Sequence, residues 1–228
     1  MRLKFFVYLH TIGAECATPF PIKTFYPPLE IRPEMVLKTR DKFIEVARQL
    51  FARKGVENTT MNDIASASDK GRRTIYTYFK SKRDIFNAVI TKETDLVLGK
   101  LRLAVARPVP PDEKFAEYVD CRLETMREIV TRNGSLRAGF FRDPRKVDRA
   151  RKLMEKKEIA LLREILEEGK EKGYFRIEDT RRTAVIITQI LQGLDLPYIR
   201  DNLISEGIDK EALKGSLTRM LIDGLAIR

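Results

Sequence analysis

Residues 71–83, GRRTIYTYFKSKR, hold five basic side chains and no acidic one. If that run is helical, Ile75 and Phe79 stand four apart and share the inner side. Arg72, Arg73, Thr74, Tyr76, Thr77 and Tyr78 are then left for the outer side and its edges. These residue types suit double-stranded DNA. Arg pairs bidentately with the guanine O6/N7 edge, and Thr offers a methyl to thymine or a hydroxyl to a polar edge. Tyr hydroxyls, a lysine such as Lys82 and helix N-termini are typical phosphate partners. The segment just upstream adds Thr60, read first as a helix cap, and Asn62, which reads equally as a groove-edge contact or as solvated surface. For Tyr76 and Tyr78 the competing reading is packed surface aromatics.

The charge distribution supports a polyanion partner. The 228-residue chain carries a net charge of +11, and residues 35–92 alone, with 13 basic and 6 acidic side chains, supply +7 of it. A local excess of this kind is what displaces counterions from a phosphate backbone.

Other chemistries find little support. One histidine, His10, and two cysteines, Cys16 and Cys121, make neither a disulfide framework nor a Cys/His zinc site. No Gly-rich phosphate loop is present, and no carboxylate spacing stands out. The expectation is a non-enzyme with no cofactor, in a reducing cytoplasm. Residues 1–14 look like a weak signal peptide, but His10 and Thr11 interrupt the apolar run and no cleavage pattern follows. The run is too short for a membrane span. With five prolines between residues 19 and 33, residues 1–34 read as a disordered extension, with Met35 as the working start.

The elements that would position this chemistry are all helical. The first spans about 37–54, with Phe43, Ile44, Ala47, Leu50 and Phe51 on one face and Gly55 as its stop. Thr60 and Asp63 form a T-x-x-D capping pattern for a short helix from Met61 to about Ala67. Ser68-Asp69-Lys70-Gly71 reads as a turn, with Asp69 placed to cap the next helix, Arg72–Phe79. Ser81 and Asp84 cap a long helix to about Val105, with Ile85, Phe86, Val89, Ile90, Leu96 and Leu98 as its apolar positions. Pro108, Pro110 and Pro111 end it. Further helices are expected at about 112–132, 135–142, 144–172, 180–201 and 209–226. In the third of these the charged stretch 149–172 reads as a solvated face. The fourth is apolar on more than one face, so burial on several sides is expected, with Pro197 kinking or ending it. In the last, Leu213, Leu217, Met220, Leu221 and Leu225 are expected inward. The fold class is thus all-α: a three-helix helix-turn-helix unit (35–82) joined by a long helix to a larger helical part (83–228).

Residues 60–82, TMNDIASASDKGRRTIYTYFKSK, resemble the tetracycline-repressor (TetR) family of regulators. The marks are T-x-x-D-I-A, T-I-Y-x-Y-F and K-S-K at their proper spacing. The opening A-R-Q-L-F-A-R-K-G at 47–55 is similar too. The resemblance covers about residues 37–100. It departs in the turn, where the family commonly has small-Gly-apolar-Ser and this chain has Ser68-Asp69-Lys70-Gly71.

The resemblance implies a homodimer joined through helices about 180–201 and 209–226. It implies a small-molecule effector held among the inner helices, and a long fourth helix that tilts on binding and lowers DNA affinity. It places Arg72 and Arg73 where family members read bases, and Lys82 at a phosphate position. Two heads imply a near-palindromic operator with half-sites about 34–36 Å apart or a multiple. Candidates for the pocket wall are Tyr118, Cys121, Met126, Phe140, Phe141, Met154 and Phe175, each with a competing reading as plain core. Cys121 reads as an inert small hydrophobe against a redox sensor. The rival function is a helical protein–protein adaptor, whose binding would depend little on salt.

Overall fold

The computed structural model describes residues 33–134 and 144–226. The N-terminal extension, the expected 135–142 helix, and the pocket candidates Phe140 and Phe141 lie outside the described residues. Eight α-helices are described: α1 (Pro33–Lys54), α2 (Met61–Ala67), α3 (Arg72–Tyr78), α4 (Lys82–Val105), α5 (Pro111–Arg132), α6 (Pro144–Glu171), α7 (Thr180–Arg200) and α8 (Lys210–Leu225). A short 3-10 turn, Ile204–Glu206, joins the last two. Among the described residues there is no strand, only a single antiparallel bridge between Phe175 and Ala226.

α1 begins earlier than the apolar pattern indicated, because Pro33 opens it, and proline is tolerated in a first turn where its missing N–H has no intrahelical partner. Its C-terminal stop is Gly55, at φ +87°, whose N–H still reaches the Phe51 carbonyl at 3.1 Å. The helix buries Phe43, Ile44, Ala47 and Phe51 against Ile64, Ala65, Ile75 and Phe79 from α2 and the α3 end. That cluster also takes Ile85, Phe86, Val89 and Ile90 from the start of α4.

α4 then passes into a second core. Val97, Leu98 and Leu101 pack with Phe115, Tyr118, Val119 and Leu123 of α5, Leu162, Ile165 and Leu166 of α6, and Ala184, Ile187 and Leu191 of α7. Leu96, expected among the apolar positions, is exposed, since the inward register has moved to Val97 and Leu98.

α7 runs through Pro197 to Arg200, close to the expected 180–201 span, and there Asp201 adopts a left-handed conformation and its N–H returns to the Pro197 carbonyl. It differs from expectation in one way: it is not buried all round within one chain. Ala184, Ile187 and Leu191 face the core, while Val185, Ile186 and Ile190 are exposed, Ile186 by 53%. On α8 only Leu217 is fully buried, and Met220, expected inward, is 73% exposed. One molecule supplies too few neighbouring helices to cover both faces.

Candidate nucleic-acid interface and inner cavity

The outward face is held by local hydrogen bonds. Thr60 Oγ1 accepts from the Asp63 N–H at 3.1 Å, and the Thr60 N–H donates to Asp63 Oδ2 at 2.8 Å, a reciprocal capping box. Lys54 Nζ adds a 2.8 Å contact to the same carboxylate. The Lys54 contact, with the two from Thr60, holds Asp63 well below the usual carboxylate range, at about 2. Ser68 ends α2 by donating its hydroxyl to the Ile64 carbonyl at 2.7 Å.

The turn corrects one expectation. Gly71, not Asp69, is the N-cap of α3, and no side chain caps that helix. Asp69 instead sits at φ +54° and pairs with Lys42 of α1 at 3.1 Å. Its left-handed backbone completes the turn, and the ion pair offsets an acid on an otherwise basic surface.

α3 ends at Tyr78, one residue earlier than expected, because Phe79 is already extended. Ile75 and Phe79 are buried as the four-residue spacing required. Arg72, Arg73, Tyr76 and Thr77 are exposed, and Thr74 is half-buried. The Arg72 guanidinium stands 5.9 Å from the centre of the Tyr76 ring. The Thr77 hydroxyl bonds back to the Arg73 carbonyl at 3.3 Å.

Tyr78 is less outward than the pattern suggested. It is half-buried and packs on Phe43 with ring centres 5.7 Å apart. Lys82 likewise has structural work: its ammonium donates to the Val56 and Glu57 carbonyls at 2.8 and 3.1 Å, stapling α4 to the turn before α2. An ammonium has three donors, so one remains for a phosphate. Thr60 and Asn62 are exposed beside this face.

A small cavity of about 70 Å³ opens deep in the second core, between α5, α6 and α7. Its apolar wall includes Met126, Met154 and Leu196, and its polar wall includes Arg122, Glu158 and Asp195. Arg122 is 2% exposed. It forms a fork with Asp195, through Nη1 to Oδ1 and through Nη2 to Oδ2 at 3.0 Å. Glu158 Oε1 lies 2.8 Å from Arg122 Nε. Burial works against the Arg122 charge, yet the two carboxylates more than hold it.

The family signature described as bacterial regulatory proteins, tetR family, matches residues 43–89, the segment that carries the capped α2 and the exposed α3. Over these residues the chain is similar to the TetR family. The match makes this segment a TetR-type DNA-binding helix-turn-helix, of the kind found in transcriptional regulators. A relative from Bacillus subtilis (strain 168), the HTH-type transcriptional regulator YhgD, is 23% identical over 197 residues, spanning 84% of this chain and 99% of its own. The probable acrEF/envCD operon repressor of Escherichia coli (strain K12) is 43% identical over 60 residues, 26% of this chain and 27% of that protein. Among solved structures, the fatty acid degradation regulator FadR from Bacillus halodurans superposes with a TM-score of 0.62 at 25% identity, covering 81% of this chain and 94% of that one. These proteins are regulators, not enzymes. No described helix is long and apolar enough to cross a membrane.

The expected pocket residues scatter. Met126 and Met154 line the cavity. Tyr118 is buried core, its hydroxyl donating to the Glu158 carbonyl at 3.2 Å. Phe175 is also core: it lies edge-on to Phe115 and fills the space beside Gly169. Cys121 is half-buried beside Thr125, and burial pushes its thiol up, against thiolate chemistry.

Arg122, Glu158 and Asp195 were not among the candidates. Their signal was register: each stands on an apolar stripe, Arg122 four residues after Tyr118, Glu158 four after Met154, Asp195 four after Leu191. The 149–172 stretch is therefore not uniformly a solvated face, since Glu158 is 1% exposed.

α5 connects this cavity to the head. It lines the cavity with Arg122, Met126 and Val130 and ends at Arg132, where Asn133 caps it. Arg132 Nη2 and Asn133 Nδ2 donate to the buried Glu93 of α4 at 2.6 and 2.7 Å. Arg48 of α1 donates to Asn133 Oδ1 at 3.3 Å. Gly134 follows so closely that a Cβ there would come within 2.9 Å of the Ala52 carbonyl oxygen.

Proposed function

We propose that this chain acts as a homodimeric repressor of the TetR family, released from a near-palindromic operator when a small molecule occupies the inner cavity. The chain divides in this reading into a DNA-reading unit over 35–82 and an effector-binding and dimerisation unit over 83–228. The observation that carries it is the exposed Arg72–Arg73 pair on a helix whose opposite side, Ile75 and Phe79, is fully committed to the core. Arg72, Arg73, Thr74 and Tyr76 enter the major groove. Tyr78, Thr77, Lys82, Thr60 and Asn62 contact the backbone or the groove edge. The exposed Val185, Ile186 and Ile190 of α7 and Met220 of α8 supply an apolar face for a second copy.

Release follows from α5. A ligand that shifts Arg122, Met126 or Val130 moves the end of a helix gripped by both α1 and α4. A packed helix transmits such a shift because its core is not continuously deformable. The ligand must bind the released state more tightly, since only differential affinity moves an equilibrium.

Genomic binding-site mapping identifies the operator, and Arg72→Ala/Arg73→Ala then tests the face. Each lost bidentate pair removes about 1–3 kcal/mol of discrimination. Operator binding should fall by about thirtyfold or more, while far-ultraviolet circular dichroism stays unchanged. Unaltered sequence-specific affinity would refute the assignment. Wild-type affinity should fall steeply with salt, and a flat dependence would favour the adaptor reading.

A further inference from the structure

Resting on the effector reading of the inner cavity, we propose that its ligand is a small organic cation with an apolar tail, the positive head seated at Glu158. The described residues lining the cavity include three carboxylates, Glu155, Glu158 and Asp195, and one guanidinium, Arg122. Arg122 directs two parallel donors into Asp195, a fork that matches one carboxylate. Glu158 meets the same guanidinium from its other side, its Oε1 2.8 Å from Arg122 Nε, and takes a further hydrogen bond only from the neutral Gln192 side chain. Among the described residues one guanidinium thus answers two carboxylates, the half-buried Asp195 and Glu158, and the surplus negative charge sits on Glu158, 1% exposed at the cavity wall. Burial raises the Glu158 carboxyl, as expected where its charge is incompletely matched.

A cationic head supplies the missing charge. A carboxylate ligand would need a free cation, and Arg122, the one cation among the described lining residues, is already taken. Apart from Gln192, the remaining described wall, Met126, Val130, Met154, Leu196 and Ile199, is apolar. At about 70 Å³ the cavity is smaller than a filled site. Its two methionines are the side chains best able to yield to a tail, being unbranched and flexible.

The test is calorimetric titration of the full-length protein with three probes of matched tail, hexyltrimethylammonium, heptanoate and heptan-1-ol. The cation should bind about tenfold or more tighter than either other probe, the effect of pairing one buried charge. Glu158→Gln should erase that preference while leaving circular dichroism intact. Asp195→Asn, which frees Arg122 to pair with Glu158, should weaken it as well. The wild-type probe series needs no variant, so a misfolded mutant leaves the outcome readable. Equal binding of the three probes, a preference for heptanoate, no binding at all, or a cation preference that survives Glu158→Gln overturns the proposal. Operator affinity, measured alongside, separates the two readings. Glu158-dependent cation binding that leaves DNA affinity unchanged supports the cation site and refutes its role as effector site. A different ligand class that binds the cavity and lowers DNA affinity does the reverse.

Discussion

Arg122→Met removes the cation from the buried cluster while keeping much of the side chain's bulk. Glu158 and Asp195 are then left without their counter-charge. Removing one partner of a buried ion pair costs about 3–5 kcal/mol when the other stays charged. Two routes relieve that here. Asp195, with its side chain 18% exposed, regains some hydration, and Glu158 takes up a proton. From an ordinary value of 4.5, protonation at pH 7 spans about 2.5 units at about 1.4 kcal/mol each, so the electrostatic loss through Glu158 is capped at about 3.5 kcal/mol. At pH 5 the same route costs only about 0.7 kcal/mol. The sign follows from linkage. In the variant the folded-state value of Glu158 lies further above its unfolded value, so stability is intact below 4.5 and is lost as pH rises through the folded value.

The assay is urea unfolding followed by circular dichroism, at about pH 5 and about pH 7, at one protein concentration because oligomerisation shifts apparent stability. The double variant Arg122→Met/Glu158→Gln should recover most of the loss at neutral pH, giving a coupling energy of about 2 kcal/mol. An equal loss at both pH values would mean that packing, not charge, holds the cluster. So would a double variant no more stable than Arg122→Met alone.

Four further outcomes are expected. Thr60→Ala should cost about 1 kcal/mol by loss of the cap. The wild-type capping box should keep its carboxylate contribution above pH 3.8 and lose it as pH falls through about 2, whereas Asp63→Asn should melt without that acid step; thermal scans across this range compare them. Gly169→Ala would drive a Cβ into the Phe175 ring, so it should lower stability by about 1–3 kcal/mol; an unchanged melting temperature would mean the ring moves aside freely. Ile186→Glu should convert a dimer into a monomer in light scattering, and a wild-type monomer at micromolar concentration would contradict the proposed assembly.

The head was legible in the sequence because its determinants are local. The Thr60–Asp63 and Ser81–Asp84 caps, the Gly55 stop and the four-residue spacing of Ile75 and Phe79 act within one or two helical turns. Periodicity and cap chemistry therefore locate α1 to α4 to within a few residues. Asp69 escaped because its partner, Lys42, is 27 residues away. Tyr78 and Lys82 escaped in the same way, one engaged with Phe43 and the other with the Val56 and Glu57 carbonyls.

In the second core the balance reverses. Helix positions were readable, but which face each turns inward was not, since inwardness depends on neighbours far along the chain. Met220 and Ile186 satisfy every local criterion for burial and stand in solvent in a single chain. Arg122 and Glu158 look like surface charge and lie at the centre. Local chemistry in the sequence by itself determined the capped helices and the basic α3 surface. Only tertiary packing decided that an arginine, two carboxylates and two methionines from three separated helices would share one cavity wall, and that α5 would run from it to the head. Helix propensity and capping are set by neighbours in sequence, while charge burial is set by neighbours in space.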